Sequence, residues 1–389
     1  MTVRLGRTPR IASLTVGESA LTLTPEARIE SSVLNGRVAR TRNFQHRRDA
    51  TMAMRKIIND PEKVVDETIE GILAAFPKHL KRVDGTARGL ARADCPVRGK
   101  VAIATGGGSG HLPLFLGYVG QGLAHGVSIG NVFSSPSSDD MLAVTKGIDG
   151  GEGVLYLYGN YSGDTMNFDM ASEMAGMDGI RVLIALGRDD VTSAPNSELA
   201  RRRGIAGIFF GYKIAGAAAD AGRPLEEVHK AAETALHNAR SMGVALSGTT
   251  IPAVGKPGFE VPEGQMELGM GIHGEPGVKR GPLLTADEIA GQMLDHILPD
   301  LPYNRGDQVA VLVNSLGATA PEESFILYRK AQQILKDRGI GIHKAFVGEY
   351  ATSMEMSGAS ISLLKLDDDL TKLLGAPAHS PFLLQQVGQ

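Results

Sequence analysis

The stretch Lys100–Pro113 reads KVAIATGGGSGHLP, a short apolar run followed by four glycines, a serine and a histidine. The apolar part, Lys100–Thr105, predicts a buried strand. The part Gly106–Pro113 predicts a loop, because glycine allows backbone conformations and close approaches that other residues do not. The apolar residues of Leu114–Val119 predict a helix behind that loop. A glycine loop with a helix N-terminus behind it presents backbone N–H groups to a polar or anionic ligand, so we predict a ligand loop here.

This loop does not match the common nucleotide or nucleophile motifs. The dinucleotide fingerprint G-x-G-x-x-G needs a glycine where His111 stands, and the nucleophile elbow G-x-S-x-G centred on Ser109 fails at the same position. The phosphate-binding motif G-x-x-x-x-G-K-[ST] is also absent, since Gly255-Lys256 is followed by Pro257. The sequence therefore contains no sign of a nucleotide site of its own.

Further strands and helices alternate along the chain. Apolar runs at 153–158, 180–186 and 309–314 predict strands, and the intervals between strands predict helices, including one over 225–242. This alternation is typical of an α/β fold with largely parallel or mixed sheets flanked by helices, in which ligands gather at the carboxyl ends of the strands.

The domain organisation follows from shifts in this pattern. The Arg-rich residues 1–53 lack apolar periodicity, so we predict an N-terminal extension that is disordered, or a translation start at Met52 or Met54. We predict a first α/β domain over 54–242 and a second over 243–389.

Asp164 follows the strand at 153–158 and precedes a helix marked by Met166, Met170, Met174 and Met177. The methionines recur at helical spacing, which predicts that they are core residues. Asp164 has two interpretations from the residues alone, as a helix N-cap or as a functional carboxylate.

The stretch Gly269–Gly277 reads GMGIHGEPG, so that a single histidine, His273, lies among four glycines and a proline. We predict that a strand over 266–272 delivers this histidine. Glycines on both sides allow positive φ and close approach to a ligand, which favours a presented side chain. The alternative is a glycine-rich turn with an incidental surface histidine.

Composition excludes several classes of function. The formal net charge is -3, with no dense basic cluster of the kind that nucleic-acid binding requires, and no apolar run is long enough to span a membrane. The single cysteine, Cys95, excludes an internal disulfide and fits the reducing cytoplasm. His229 and His237 share a helical face without a Glu or Cys partner, so we predict no metal site.

Five motifs, GGGSGH, NYSGD, GIHGEPG, NSLGAT and LLKLDD, occur in this order between about Met54 and Pro381. In these motifs the chain resembles the substrate-binding subunit of dihydroxyacetone kinases. The resemblance implies a two-domain α/β subunit that binds a short ketose and works as a homodimer. It also implies a separate nucleotide-binding partner subunit of the DhaL type. ATP and Mg²⁺, or a phosphorylated carrier, would belong to that partner, and this chain would bind no cofactor.

The resemblance also implies roles for single residues. The histidine of GIHGEPG attacks the ketose carbonyl in the family and forms a hemiaminal, and this residue is His273. The general base for the hydroxyl that is phosphorylated falls on Asp164, and a second histidine that hydrogen-bonds the substrate falls on His111. Gly108 and Ser109 would add backbone and hydroxyl contacts to the ketose.

The chain departs from the family pattern at two positions. Gly159 stands where the family commonly has a lysine, and Leu112 stands where an acidic residue is usual. Loss of the lysine is expected to open volume, which makes a four- or five-carbon ketose such as erythrulose as suitable as dihydroxyacetone.

Two alternatives compete with a ketose kinase subunit. The first is a non-catalytic ketose sensor or coactivator of the same family, against which the presence of Asp164 argues. The second is a ketose isomerase or lyase that uses a lysine Schiff base, and no lysine lies in the glycine loops beside these residues.

Overall fold

Two six-stranded sheets and the helices around them form the framework of the protein, in a computed structural model that describes residues 56–386. The predicted extension 1–53 and the possible start sites Met52 and Met54 lie outside the described residues.

The first sheet has the strand order β1-β2-β4-β3-β5-β6. Its strands β3, β4, β5 and β6 run parallel to one another, whereas β2 pairs antiparallel with both β4 and the edge strand β1. The strands are β1 (Leu80–Arg82), β2 (Gly89–Arg92), β3 (Ala102–Ser109), β4 (Gly126–Val132), β5 (Val154–Gly159) and β6 (Val182–Gly187).

The second sheet has the order β11-β10-β12-β7-β8-β9, and only its β10 and β11 are parallel. A separate hairpin joins β13 and β14 near the C-terminus. The strands are β7 (Ala239–Ala245), β8 (Gln265–Leu268), β9 (Lys279–Pro282), β10 (Gln308–Ser315), β11 (Gly341–Gly348), β12 (Gly358–Leu366), β13 (Ala378–Ser380) and β14 (Leu383–Gln385).

Helices cover these sheets and close their apolar cores. They are α1 (Val64–Ala75), α2 (Ser138–Ile148), α3 (Ser162–Met177), α4 (Ile208–Asp220), α5 (Leu225–Asn238), α6 (Ala286–Asp300), α7 (Pro321–Asp337) and α8 (Asp368–Leu374). No helix in the described part of the chain is long and apolar enough to cross a membrane.

The predicted α/β class, with mixed sheets flanked by helices, is confirmed. The predicted domains, 54–242 and 243–389, stay a prediction. The boundary between them falls inside β7, which lies in the second sheet. The helix predicted over 225–242 ends at Asn238, because the residues from Ala239 onward pair with β12 as a buried strand.

The glycine-rich segment is more regular than predicted. Strand β3 continues through the glycines to Ser109 and pairs with β4, so Gly106 to Gly108 belong to a strand rather than a loop. The helix predicted over 114–119 is wrong, because Phe115 has a φ of 65° and only a short 3-10 turn, Leu116–Tyr118, follows. Helix α3 also differs from the prediction, because Met166, Met170 and Met177 are exposed and are not core residues.

Candidate functional site

His273 lies in an irregular loop after β8. The strand predicted over 266–272 stops at Leu268, since Gly269 takes a φ of 77° and turns the chain. Gly274, with a φ of 86°, lies so close to the ring of Phe259 that a Cβ would overlap with it. The loop therefore needs its glycines, and it leaves the His273 side chain 23% exposed.

The carboxylate of Glu275 binds His273 at two points. Its Oε1 lies 3.0 Å from His273 Nδ1, and its Oε2 accepts the His273 backbone N–H at 2.9 Å. Burial alone would raise the pKa of Glu275, but the hydrogen bond from His273 and the charges of His273 and Arg203 outweigh it. The pKa falls to about 2. The side chain is therefore a carboxylate at neutral pH, and the Nδ1 of His273 donates to it.

Three aromatic rings meet around this histidine. The rings of His111 and Tyr161 approach His273 edge to face, with centroids 4.7 and 4.8 Å away. Phe133 stacks on His111 at 4.8 Å and contacts His273 at 5.3 Å. The fold thus brings together two predicted histidines that are separated by 162 residues in the sequence.

His111 is 1% exposed, and its Nδ1 lies 2.8 Å from the carbonyl oxygen of Thr352. A carbonyl only accepts, so Nδ1 carries the proton and Nε2 carries the lone pair. Nε2 is buried without a hydrogen-bond partner. Burial, with a smaller contribution from His273, lowers the pKa of His111 to about 3. His111 is therefore a neutral ring whose free nitrogen accepts a hydrogen bond.

Asp164 lies in the first turn of α3 and is 7% exposed. It is not the N-cap, because that position belongs to Tyr161. Burial raises the pKa of Asp164 from 3.8 to about 6, although a hydrogen bond from Ser135 and the nearby His273 oppose the rise. Its Oδ1 has no hydrogen-bond partner. A buried carboxylate whose pKa lies near neutral pH, and one of whose oxygens has no hydrogen-bond partner, suits a general base.

Gly108 and Ser109 end strand β3 beside His111. A Cβ on Gly108 would lie 2.6 Å from the backbone nitrogen of Ser134, so only glycine allows the strand this close to that loop. The Ser109 hydroxyl donates to the carbonyl of Gly130 at 3.0 Å. The predicted contacts of Gly108 and Ser109 with a ketose stay a prediction.

Backbone strain is concentrated around the same strand end. Phe115, Phe133 and Met354 are the non-glycine residues of the range 56–386 with positive φ. Phe115 lies against Gly107, whereas Phe133 and Met354 lie against Gly110, where added Cβ atoms would collide with or crowd them. Such strain costs on the order of 1–3 kcal/mol per residue and persists where packing enforces it, commonly at functional sites.

The two departures from the family pattern have different surroundings. A Cβ on Gly159 would lie 3.2 Å from both the Ile208 side chain and the Tyr161 ring, so these two side chains fill the volume expected to open there. Leu112 lines a cavity of about 60 Å³ together with Gly108, Ser109 and His111. Val65, Thr68 and Ile69 of α1 also line this cavity, and neither His273 nor Asp164 lines it.

Several residues of this site were not predicted. Glu275 lies in the GIHGEPG motif and Tyr161 in the NYSGD motif, so their motifs contained a signal. Phe133 and Thr352 come from loops without a recognisable pattern, and only the fold reveals them. Within residues 56–386, no group of three or more His, Cys, Asp or Glu side chains is arranged to hold a metal ion.

Comparisons with known proteins agree with these features. The Dak1 domain family matches residues 70–382. A dihydroxyacetone-binding subunit DhaK of a PTS-dependent dihydroxyacetone kinase from Listeria innocua is 45% identical over 329 residues, which cover 85% of this chain and 99% of the relative. The L-erythrulose kinase of Pectobacterium atrosepticum is 41% identical, and the match covers 84% of this chain but only 56% of that enzyme.

Solved structures give the same result. The dihydroxyacetone kinase of C. freundii aligns with a TM-score of 0.77 and 32% identity, over 85% of this chain and 60% of that one. A dihydroxyacetone kinase operon co-activator, Dha-DhaQ, aligns with a TM-score of 0.76 and 28% identity, over 82% of this chain and 98% of that one.

The family match, the identity over nearly the whole length of the Listeria relative and the shared fold lead to one conclusion. The chain belongs to the Dak1 family and is a substrate-binding subunit of the dihydroxyacetone kinase type, a class of phosphotransferase with an alcohol acceptor.

Proposed function

We propose that this chain captures a short ketose on His273 as a covalent hemiaminal and presents its terminal hydroxyl for phosphorylation. The observation that carries the proposal is the convergence of His273, His111 and the buried Asp164. Two of these side chains have a buried polar atom without a partner, Nε2 of His111 and Oδ1 of Asp164. Both atoms are suited to contact a bound molecule.

The covalent step fits the residue type. The lone pair of His273 Nε2 adds to the carbonyl carbon, and the carbonyl π electrons move to the oxygen, which takes up a proton from solvent. Release of the Nδ1 proton then gives the neutral hemiaminal. A bond of this kind selects ketoses over glycerol-like alcohols, which have no carbonyl to attack.

Asp164 is proposed as the general base. Its raised pKa of about 6 keeps it mostly ionised at neutral pH, yet makes it a better proton acceptor than an exposed aspartate. It would take the proton from the terminal hydroxyl as the phosphoryl group arrives. His111, held neutral by burial, would hydrogen-bond the ketose through Nε2.

The phosphoryl donor is proposed to come from a DhaL-type partner subunit. The sequence has no nucleotide motif, and several relatives are named as subunits of PTS- or PEP-dependent kinases. A C. freundii kinase structure contains AMP-PNP and Mg²⁺ on a chain of which this one matches 61%. The donor is thus ATP with Mg²⁺ or a phosphorylated carrier. The homodimer and the cytoplasmic location stay predictions.

The acceptor is proposed to be dihydroxyacetone or a four- to five-carbon ketose such as erythrulose. Relatives at 41% and 42% identity are named erythrulose kinases.

The experiment combines the purified chain with a DhaL-type subunit, Mg²⁺, and ATP or a phosphorylated carrier, and offers it a panel of short ketoses. We expect phosphorylation of at least one ketose and an adduct on the His273 peptide by mass spectrometry. If no ketose is phosphorylated, although the same partner is active with a known DhaK subunit, the proposal is refuted.

A ketose-binding coactivator is the second candidate, because the co-activator Dha-DhaQ shares the fold at a TM-score of 0.76. Asp164→Asn separates the two functions. In a kinase subunit the variant keeps the adduct and loses turnover, whereas a coactivator has no turnover to lose.

A further inference from the structure

One contact of the site has no role in the chemistry described so far, namely the double contact between Glu275 and His273. Each carboxylate oxygen accepts one hydrogen bond from His273: Oε1 accepts from Nδ1–H at 3.0 Å and Oε2 from the backbone N–H at 2.9 Å. The ring orientation and the loop backbone therefore depend on the same side chain. This inference rests on the proposed capture of a ketose by His273.

The Glu275 carboxylate lies near Arg203, which pairs in turn with Asp190. Arg203 Nη1 lies 3.8 Å from Glu275 Oε2, and Arg203 donates through Nε and Nη2 to Asp190 Oδ2 at 3.1 and 2.8 Å. Asp190 is 1% exposed and also accepts two hydrogen bonds from Thr192. Charges alternate along this row of side chains, from Asp190 through Arg203 to Glu275, so each one stabilises the next.

Gly271 leaves room for this arrangement. A Cβ at this position would overlap with Glu275 Oε2 and would lie 2.7 Å from Arg203 Nη1. Gly271 thus leaves the space that the Glu275 carboxylate and the Arg203 guanidinium occupy, in addition to any conformational freedom it gives the loop.

We propose that Glu275 is a positioning residue that holds His273 in the tautomer with the proton on Nδ1, and that its negative charge stabilises the imidazolium formed when the ring adds to a ketose. With the proton on Nδ1, the lone pair is on Nε2, the nitrogen that faces away from Glu275. Removal of this contact leaves the two tautomers in competition, and only one of them is a nucleophile at Nε2.

The proton balance of the capture step explains the charge. Addition of Nε2 to the carbonyl carbon gives an imidazolium and an alkoxide, and the alkoxide takes up one proton. The ring then carries one positive charge, shared between its two nitrogens, until the Nδ1 proton leaves. Until that proton leaves, Glu275 accepts the hydrogen bond from Nδ1, so its attraction is stronger for the imidazolium adduct than for the free neutral ring.

Glu275→Gln tests the need for two acceptors. A glutamine has one acceptor oxygen and one amide nitrogen that only donates. If its oxygen accepts the His273 backbone N–H, its nitrogen faces Nδ1 and favours the tautomer with the proton on Nε2. If its oxygen accepts Nδ1–H, the nitrogen faces the backbone N–H and the loop loses a hydrogen bond. Glu275→Asp keeps both acceptors on a side chain that is shorter by one methylene.

The readout is the reactivity of Nε2 itself, measured without any ketose. Diethyl pyrocarbonate acylates the free lone pair of neutral histidine rings, and peptide mass spectrometry gives the rate at each position. The exposed His379 serves as an internal standard within the same protein. We expect the rate at His273, relative to His379, to fall severalfold in Glu275→Gln, because a smaller fraction of the rings then carries the lone pair on Nε2. Glu275→Asp should recover a clear part of the rate.

Binding of dihydroxyacetone gives the second readout. The dissociation constant of the adduct, from intact mass at a series of concentrations, should rise by a similar factor in Glu275→Gln and by less in Glu275→Asp. Glu263→Gln, which changes an exposed glutamate in the preceding loop, should leave both readouts at the wild-type value.

Wild-type acylation and adduct formation in Glu275→Gln would overturn the inference. So would an aspartate variant that is no better than the glutamine variant although both retain the wild-type circular dichroism spectrum. If wild type forms no adduct with any ketose, the proposed function fails, but the acylation rates still decide whether Glu275 sets the tautomer.

Discussion

Replacement of Asp164 by asparagine is expected to stabilise the protein at neutral pH while it ends turnover. The carboxyl group is 7% exposed, and burial raises its pKa from 3.8 to about 6. An acid whose pKa is raised by folding favours the folded state when it is protonated. Its contribution is complete below pH 3.8 and is lost as the pH rises through about 6. At neutral pH the folded protein therefore carries an ionised group that its surroundings disfavour.

The difference between 3.8 and about 6 corresponds to about 3 kcal/mol in the free energy of unfolding. Asparagine has nearly the same shape and carries no charge at any pH. It keeps an oxygen that accepts from Ser135, so the variant should recover up to this amount at pH 7 and little of it near pH 4. The same substitution removes the proposed base, and we expect a loss of turnover of about 100-fold or more.

Urea denaturation of wild type and Asp164→Asn at about pH 7 and about pH 4.5 measures this effect as a difference of differences, which cancels the pH dependence of the other groups. Asp169→Asn, at an exposed aspartate of the same helix, is the matched control and should change stability by less than about 0.5 kcal/mol at both pH values. An Asp164→Asn variant that is no more stable than wild type at neutral pH, or whose advantage does not shrink on acidification, would contradict a buried, ionised Asp164.

Three further predictions concern other parts of the molecule. Gly271→Ala should lower the free energy of unfolding by about 1–3 kcal/mol and weaken ketose capture, because its methyl group overlaps the carboxylate that holds the histidine; an unchanged urea midpoint and adduct constant would contradict this. Asp300→Ala should destabilise the protein by about 3–5 kcal/mol, because Asp300 pairs with Arg202 and Arg240, whose side chains are 0% and 3% exposed. Urea denaturation measures this loss, and a loss below about 1 kcal/mol would show that the two arginines find other partners. Turnover at saturating ketose should fall about tenfold per pH unit below about pH 6 as Asp164 becomes protonated, and a rate that is flat down to about pH 5 would exclude it as the base.

The sequence predicted the alternating strands and helices, and it predicted that the candidate site lies at the ends of certain strands. Apolar runs with glycine-rich ends predicted β3, β5, β6 and β10 to within a few residues, because a buried parallel strand needs a continuous apolar segment. The same method placed the end of the helix that begins at Leu225 four residues too late and was wrong at Leu114–Val119. In the first case pairing with β12 made a strand of the last residues, and in the second a left-handed Phe115 prevented a helix. Local preference is weaker than tertiary contact at such positions.

The residue types at His273, His111 and Asp164 could be selected from the sequence, because their motifs occur in one order and match a family. Their chemical states could not be predicted. The tautomer of His111 depends on a carbonyl 241 residues away, and the raised pKa of Asp164 depends on how much of the fold covers it. The sequence alone thus determined the fold class and selected the candidate site residues. Only the tertiary structure decided which nitrogen is free, which carboxyl is desolvated and which glutamate holds the histidine, because protonation depends on neighbours that are distant along the chain.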